Sequence, residues 1–194
     1  MVHINWREEP IVSPVTIILL VLVIVAAAFI AYYNKFVRMR NMVDNAWAQV
    51  DVQLQRRYDL IPNLVETVKG YAAHEQATLD SVTQARSKVA NAHTPGERME
   101  AENVLSGTLK SLFAVAEQYP DLKANAGFVT LQQQLEETED KISYMRQSFN
   151  DTVMKYNTAI QQFPGTLFAN LFGFERRASY DADLGTDTSP EVGF

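Results

Sequence analysis

Apolar and polar positions fall into distinct regimes along this chain. From Val15 to Tyr33 the sequence VTIILLVLVIVAAAFIAYY carries no charge, and its apolar character begins at Ile11. A helix of that length crosses a hydrocarbon core of about 30 Å. A transmembrane helix is therefore predicted over residues 11–33, behind a short stub at 1–10. A cleaved signal peptide would need a positive leading region, a shorter apolar core and a small-residue cleavage site. Here Glu8 and Glu9 outweigh Arg7, and Ala26-Ala27-Ala28 leads into Phe29 and Ile30. Retention as an anchor is the favoured reading.

Beyond the anchor the apolar residues fall at steps of three and four. Val43, Trp47, Val50, Leu54, Tyr58, Ile61, Val65 and Val68 form one helical stripe, continuous with the anchor. Pro62 lies inside it and removes a backbone donor, so a kink or a local break is expected between Asp59 and Asn63. A second stripe runs Leu79, Val82, Ala85, Val89 and Ala92. Thr94, Pro95 and Glu97 then read as cap, first position and acidic first turn of a third helix. Its stripe is Leu105, Leu109, Leu112, Ala116 and Tyr119, ended by Pro120, with Asp121 as the expected cap of the next helix. The fourth stripe is the longest: Phe128, Leu131, Leu135, Thr138, Ile142, Met145, Phe149, Val153, Tyr156, Ile160 and Phe163.

No stretch alternates as a strand does. The expected fold is all-α: an N-terminal single-pass transmembrane helix, then an elongated antiparallel four-helix bundle with coiled-coil-like packing over residues 34–163. Short connections would return the end of the fourth helix to the bilayer. Residues 164–178 are then a juxtamembrane amphipathic segment. Its Phe168, Leu171, Phe172 and Phe174 are candidates to enter the interface, with Arg176 and Arg177 meeting anionic lipid. The same aromatics would equally serve to cap the open end of the bundle core.

Charge adds orientation. Lys35, Arg38 and Arg40 follow the span, whereas Arg7 alone precedes it, so the N-terminus is expected outside and the body in the cytoplasm. Trp6, Tyr32 and Tyr33 stand where interfacial aromatics belong. The net charge of -6 argues against a nucleic-acid partner, and much of it sits in Asp181, Asp183, Asp187 and Glu191. Residues 179–194 read as an acidic disordered tail. Its terminal Val-Gly-Phe is a conceivable peptide-domain ligand and more simply an idle end.

Candidate chemistry is thin. The chain has no cysteine, which removes disulfides, thiolate metal sites and thiol nucleophiles. Its eight glycines build no phosphate loop. Its three histidines, at 3, 74 and 93, form neither a Glu-x-x-His nor a His-Glu-x-x-His motif. No cofactor and no catalytic residue is assigned. Glu136, Glu137, Glu139 and Asp140 fall mainly on a solvated face. Two polar clusters remain as candidate partner-binding sites: Arg56, Arg57, Asp59 and Asn63 around the proline, and Glu117, Tyr119, Asp121 and Lys123 at the third helix end. Helix irregularities and turns need such groups for their own backbone, so a structural role competes at both.

NMVDNAWAQVDVQLQRRYDLIPNLVETVKGY (Asn41–Tyr71) and AENVLSGTLKSLFAVAEQYPDLKAN (Ala101–Asn125), with Phe128-Val-Thr-Leu-Gln, Tyr156-Asn157 and Phe163-Pro164-Gly165, closely resemble the LemA family of bacterial membrane proteins. The resemblance covers Tyr33 to about Phe174. It implies a single-pass protein of the bacterial inner membrane, N-terminus out, with a cytoplasmic helical bundle and no established enzymatic activity. As a matter of genomic company the family is often associated with HtpX-like membrane zinc proteases and TPM-domain membrane proteins, which are the partners the resemblance suggests, and one branch of the family belongs to magnetosome membranes. The expected function is a non-enzymatic membrane scaffold that self-associates into a homo-oligomeric platform on the lipid bilayer. The alternatives are an adaptor or regulator of a membrane protease, and a lipid-sensing or membrane-remodelling protein.

Overall fold

A computed structural model of the chain describes residues 13–180. The expected stub with Trp6 and Arg7, and the acids from Asp181 onward, lie outside the described residues. All regular structure among the described residues is helical.

Helix α1 spans Pro14–Tyr71, 58 residues and thus roughly 87 Å. Ser13 starts it by accepting the Thr16 amide on its Oγ, and Pro14 occupies the first turn, where its missing N–H costs nothing. The N-terminal part of α1 is long and apolar enough to cross a membrane, and among the described residues none of that apolar window is buried. The remainder carries a seven-residue repeat, with Phe36, Val43, Val50, Arg57 and Leu64 all buried. Leu54, Ile61 and Val68 repeat beside them. Such a period keeps one seam facing a partner over many turns.

Pro62 does not end α1, so of the two expected outcomes between Asp59 and Asn63 the local break is absent. The missing amide would orphan the Tyr58 carbonyl one turn back. Arg86, from the next helix, fills that gap: its Nε donates to Tyr58 O at 3.3 Å, and its guanidinium lies 4.0 Å from the Tyr58 ring centre.

Helix α2 (Gln76–Ala90) and α3 (Pro95–Ala116) are joined by a tight turn. Thr94 and Glu97 form a reciprocal capping box at the start of α3, with Pro95 in its first turn. Helix α3 stops at Ala116, short of the expected Tyr119. Pro120 forces Tyr119 into an extended backbone, and Tyr119 caps a single-turn helix α4 (Pro120–Lys123). Asp121 therefore lies in the first turn of α4, and the cap of the long helix α5 (Ala126–Gln161) is Asn125, whose Oδ1 accepts the Phe128 amide at 3.0 Å. Buried Phe128, Leu135, Ile142, Phe149 and Tyr156 give α5 its own seven-residue repeat. Phe163 does not extend it, because α5 ends at Gln161 and Phe163 is 80% exposed. Helix α6 follows at Gly165–Phe172, the last among the described residues.

The core has two apolar clusters. In one, Ile61, Leu64 and Val68 of α1 meet Leu79 and Val82 of α2, Leu105, Leu109 and Leu112 of α3, and Phe128 and Leu135 of α5. In the other, Phe36, Val43, Val50 and Leu54 of α1 meet Ile142, Phe149, Val153, Tyr156 and Ile160 of α5, together with Met99, Ala169 and Tyr180. Helices α2 and α3 thus cover chiefly the end remote from the apolar span, and α1 with α5 continues to it.

Candidate functional site

An aromatic collar packs against one side of the end of the apolar span. Phe168 of α6 stacks on Tyr32 with centroids 4.4 Å apart and meets Phe29 edge-on at 5.0 Å. Phe172 lies against Tyr33 at 5.1 Å, and Phe174 against Phe36 at 5.3 Å. Offset and edge-to-face pairs at these spacings add specific orientation to apolar burial. Helix α6 reaches this position because Gly165 lacks a side chain: a Cβ there would stand 2.3 Å from the Ala159 carbonyl oxygen. Gly173, at φ 68°, then turns the chain out of α6 in the left-handed conformation that glycine adopts freely.

Of the residues assigned to this interface from sequence, Phe168, Phe172 and Phe174 therefore turn toward α1. Leu171 is 63% exposed, as are Arg176 and Arg177 largely. Leu167 and Phe163, which the sequence reading did not assign to the interface, are exposed beside Leu171 in the chain. Their spacing at 163, 167 and 171 was the available signal.

From Phe174 the chain runs back along α5 as a strap. Tyr156 Oη donates to Glu175 O at 2.9 Å, and Asn157 exchanges two hydrogen bonds with the Arg177 backbone, at 2.8 and 2.9 Å. Arg177 also reaches Asp44 at 3.5 Å. The Tyr180 amide donates to Asn150 Oδ1 at 2.7 Å, and its ring is buried under the Arg146 guanidinium, 4.0 Å away. Burial pushes the Tyr180 hydroxyl up to about 12. Residues 179 and 180 thus belong to the packed body rather than to a tail, because the Tyr180 ring joins the core.

The first polar cluster separates into unlike parts. Arg57 is buried on the α1 seam and forms an ion pair with the equally buried Glu102 of α3. It also donates to Glu139 Oε2 at 2.5 Å and to Ser106 Oγ at 2.7 Å. Glu102 was not singled out from sequence, although it stands three residues before Leu105 on the α3 stripe. Arg56 is exposed and lies 3.8 Å from Glu137, whose carboxyl is lowered mainly by its hydrogen bond from Lys141 and further by Arg56. Asp59 accepts from Gln55 at 2.9 Å, and the Asn63 carbonyl accepts from Thr67 at 2.7 Å.

The second cluster sits at the opposite end of the molecule from the span. Tyr119 Oη donates to Glu75 Oε1 at 2.9 Å, a bond that holds the phenol proton and raises its pKa. Lys123 pairs with Glu117, and Asn125 Nδ2 donates to Tyr71 Oη at 2.9 Å. Asp121 lies in the short α4 between them. Arg57 and Tyr71 are separated by about 20 Å along α1, so the two clusters do not form one site. Among the described residues no group of three His, Cys, Asp or Glu side chains converges in a way that could hold a metal ion.

A model of the LemA family matches residues 46–194. Among curated proteins the chain is similar to the magnetosome protein MamQ of Magnetospirillum gryphiswaldense, at 26% identity over 91% of this chain and 76% of that protein. It is similar to magnetosome protein MamQ 2 of Paramagnetospirillum magneticum at 25% identity with the same coverage. Protein LemA of Metamycoplasma hominis is 27% identical over 82% of this chain and 76% of its own length.

Proposed function

Because the chain belongs to the LemA family, we propose that it is a non-enzymatic, membrane-anchored helical scaffold that self-associates into a platform at the cytoplasmic face of the membrane. The observation that carries this reading is α1 itself. One unbroken helix supplies both the uncovered apolar stretch and the spine of the body, with no flexible linker between them. The anchor and the body then tilt and turn together. Residues 34–71 would hold the far turn roughly 55 Å from the bilayer, as the tip of an antiparallel helical bundle.

Lys35, Arg38 and Arg40 after the span, against Arg7 before it, favour the body on the cytoplasmic side and the N-terminus outside. For self-association, the two long helices offer exposed large apolar side chains to a second copy, Met42 and Val52 on α1 and Tyr144 and Met154 on α5. The test uses the absence of native cysteine. Val52→Cys and Tyr144→Cys, each introduced singly and cross-linked with a short bifunctional maleimide in native membranes, should give covalent dimers, and together a ladder of higher species. Monomer alone at every reagent length would overturn the scaffold.

A further inference from the structure

We propose that the outward face of α6, with the Phe163 that precedes it, lies in the headgroup–hydrocarbon boundary of the bilayer crossed by α1. The occupant of this apolar edge is the lipid surface. This inference rests on the reading of α1 as a membrane anchor.

The height of α6 is fixed by its inward face. Phe168 and Phe172 pack on Phe29, Tyr32 and Tyr33, which are the last turns of the uncharged stretch. Whatever depth the span adopts, α6 is held at the level where hydrocarbon gives way to headgroups. At that level it exposes Phe163, Leu167 and Leu171, at 80%, 60% and 63%. The four-residue spacing of Leu167 and Leu171 puts them on one side of the helix.

The charges nearby agree. Lys35, Arg38 and Arg40 lie within two turns of the collar, and Arg176 is exposed just after it, so anionic headgroups meet cations around the apolar edge. The backbone holds the helix in place: buried Gly165 sits on the Ala159 carbonyl with no room for a Cβ. The arrangement is a short interfacial helix locked to a transmembrane one. Residues chosen from sequence alone divide accordingly, with Phe168, Phe172 and Phe174 forming the lock and Leu171, joined by Leu167 and Phe163, forming the lipid face.

The test uses full-length protein in vesicles of phosphatidylcholine and phosphatidylglycerol, with single cysteines spin-labelled at Phe163→Cys, Leu167→Cys or Leu171→Cys. Collision with oxygen reports lipid, and collision with a water-soluble nickel chelate reports water. Val21→Cys marks the span and Ser87→Cys an exposed side chain on the body. The expected result is oxygen-rich, chelate-poor labels at 163, 167 and 171, close to the Val21 profile and at least severalfold apart from Ser87. Gly165→Val should shift the Leu167→Cys label toward the chelate while Val21 is unchanged. Labels at 167 and 171 with the Ser87 profile would place α6 in water and overturn the inference. Labels shielded from both reagents and broadened by a neighbouring spin would assign the face to a second copy, which also overturns it. A water-like Val21 label would instead bring down the anchored reading itself.

Discussion

Arg86 donates to the backbone carbonyl of Tyr58 at 3.3 Å, the one acceptor that Pro62 deprives of its helical donor. A side chain from α2 thus completes the hydrogen bonding of α1 and, with its guanidinium over the Tyr58 ring, ties the two helices together.

Removing the repair should be measurable. Arg86→Ala is expected to destabilise the full-length protein in mild detergent by about 1–2 kcal/mol, followed by denaturant-induced loss of far-ultraviolet circular dichroism. In a Pro62→Ala background, where residue 62 can donate to Tyr58 itself, the cost of Arg86→Ala should shrink to what remains of the ring contact. Equal costs in both backgrounds would show that the Arg86 bond does not serve Pro62.

Arg57 and Glu102 are both almost completely inaccessible, so truncating either leaves the other charge buried. Arg57→Ala should cost about 3–5 kcal/mol, and the paired replacement Arg57→Met with Glu102→Leu much less than the sum of the single changes. Arg56→Ala, which breaks only an exposed pair, should stay within about 1 kcal/mol. Adjacent arginines thus separate cleanly in a denaturation series, and Arg56 is the one whose substitution can probe a partner without disturbing the fold.

The strap should loosen in alkali. The Tyr180 hydroxyl is pushed up to about 12 by burial, with Arg146 acting in the opposite direction and Glu102 adding to the rise. In the unfolded chain it titrates near 10, so its contribution is complete below about pH 10 and is lost as pH rises from there through about 12. The shift corresponds to roughly 2–3 kcal/mol. Tyr119 and Tyr156 are also raised, by the hydrogen bond to Glu75 and by burial respectively, so the wild-type curve contains them too. Tyr180→Phe should flatten the alkaline limb relative to wild type, and an unchanged limb would show that the strap is not held by this ring.

At the start of α3 the Glu97 carboxyl is lowered chiefly by the His93 amide, then by that of Thr94. A lowered carboxyl stabilises above its ordinary pKa and ceases to do so as pH falls through its folded one. Glu97→Gln should therefore reduce the acid sensitivity of thermal unfolding as pH falls below about 4.5. Thr94→Ala, which removes the other half of the box, should cost about 1 kcal/mol at neutral pH.

The all-helical character, the uncovered apolar stretch and the Thr94 start of α3 were legible because each is written in local spacing. The Pro62 region was not, since the group that rescues it lies 28 positions away. Arg57 escaped a core assignment because Tyr58 satisfies the same helical step. The position is nonetheless part of the series 36, 43, 50, 57, 64, and a charge on that seam signals a buried partner. Glu102 is the complementary signal on α3. Tyr119 and Phe163 were read into stripes whose helices stop earlier, because a following proline overrides an apolar period at both places. The aromatic collar divided into inward and outward faces only once Gly165 had set the angle of α6.

The most direct test of the scaffold is the particle mass of the full-length protein extracted with its surrounding lipid, with every co-purifying chain identified. The account predicts a particle many protomers in mass that contains this chain alone. A uniform monomer, or a small particle carrying a stoichiometric second protein such as a membrane protease, would contradict it.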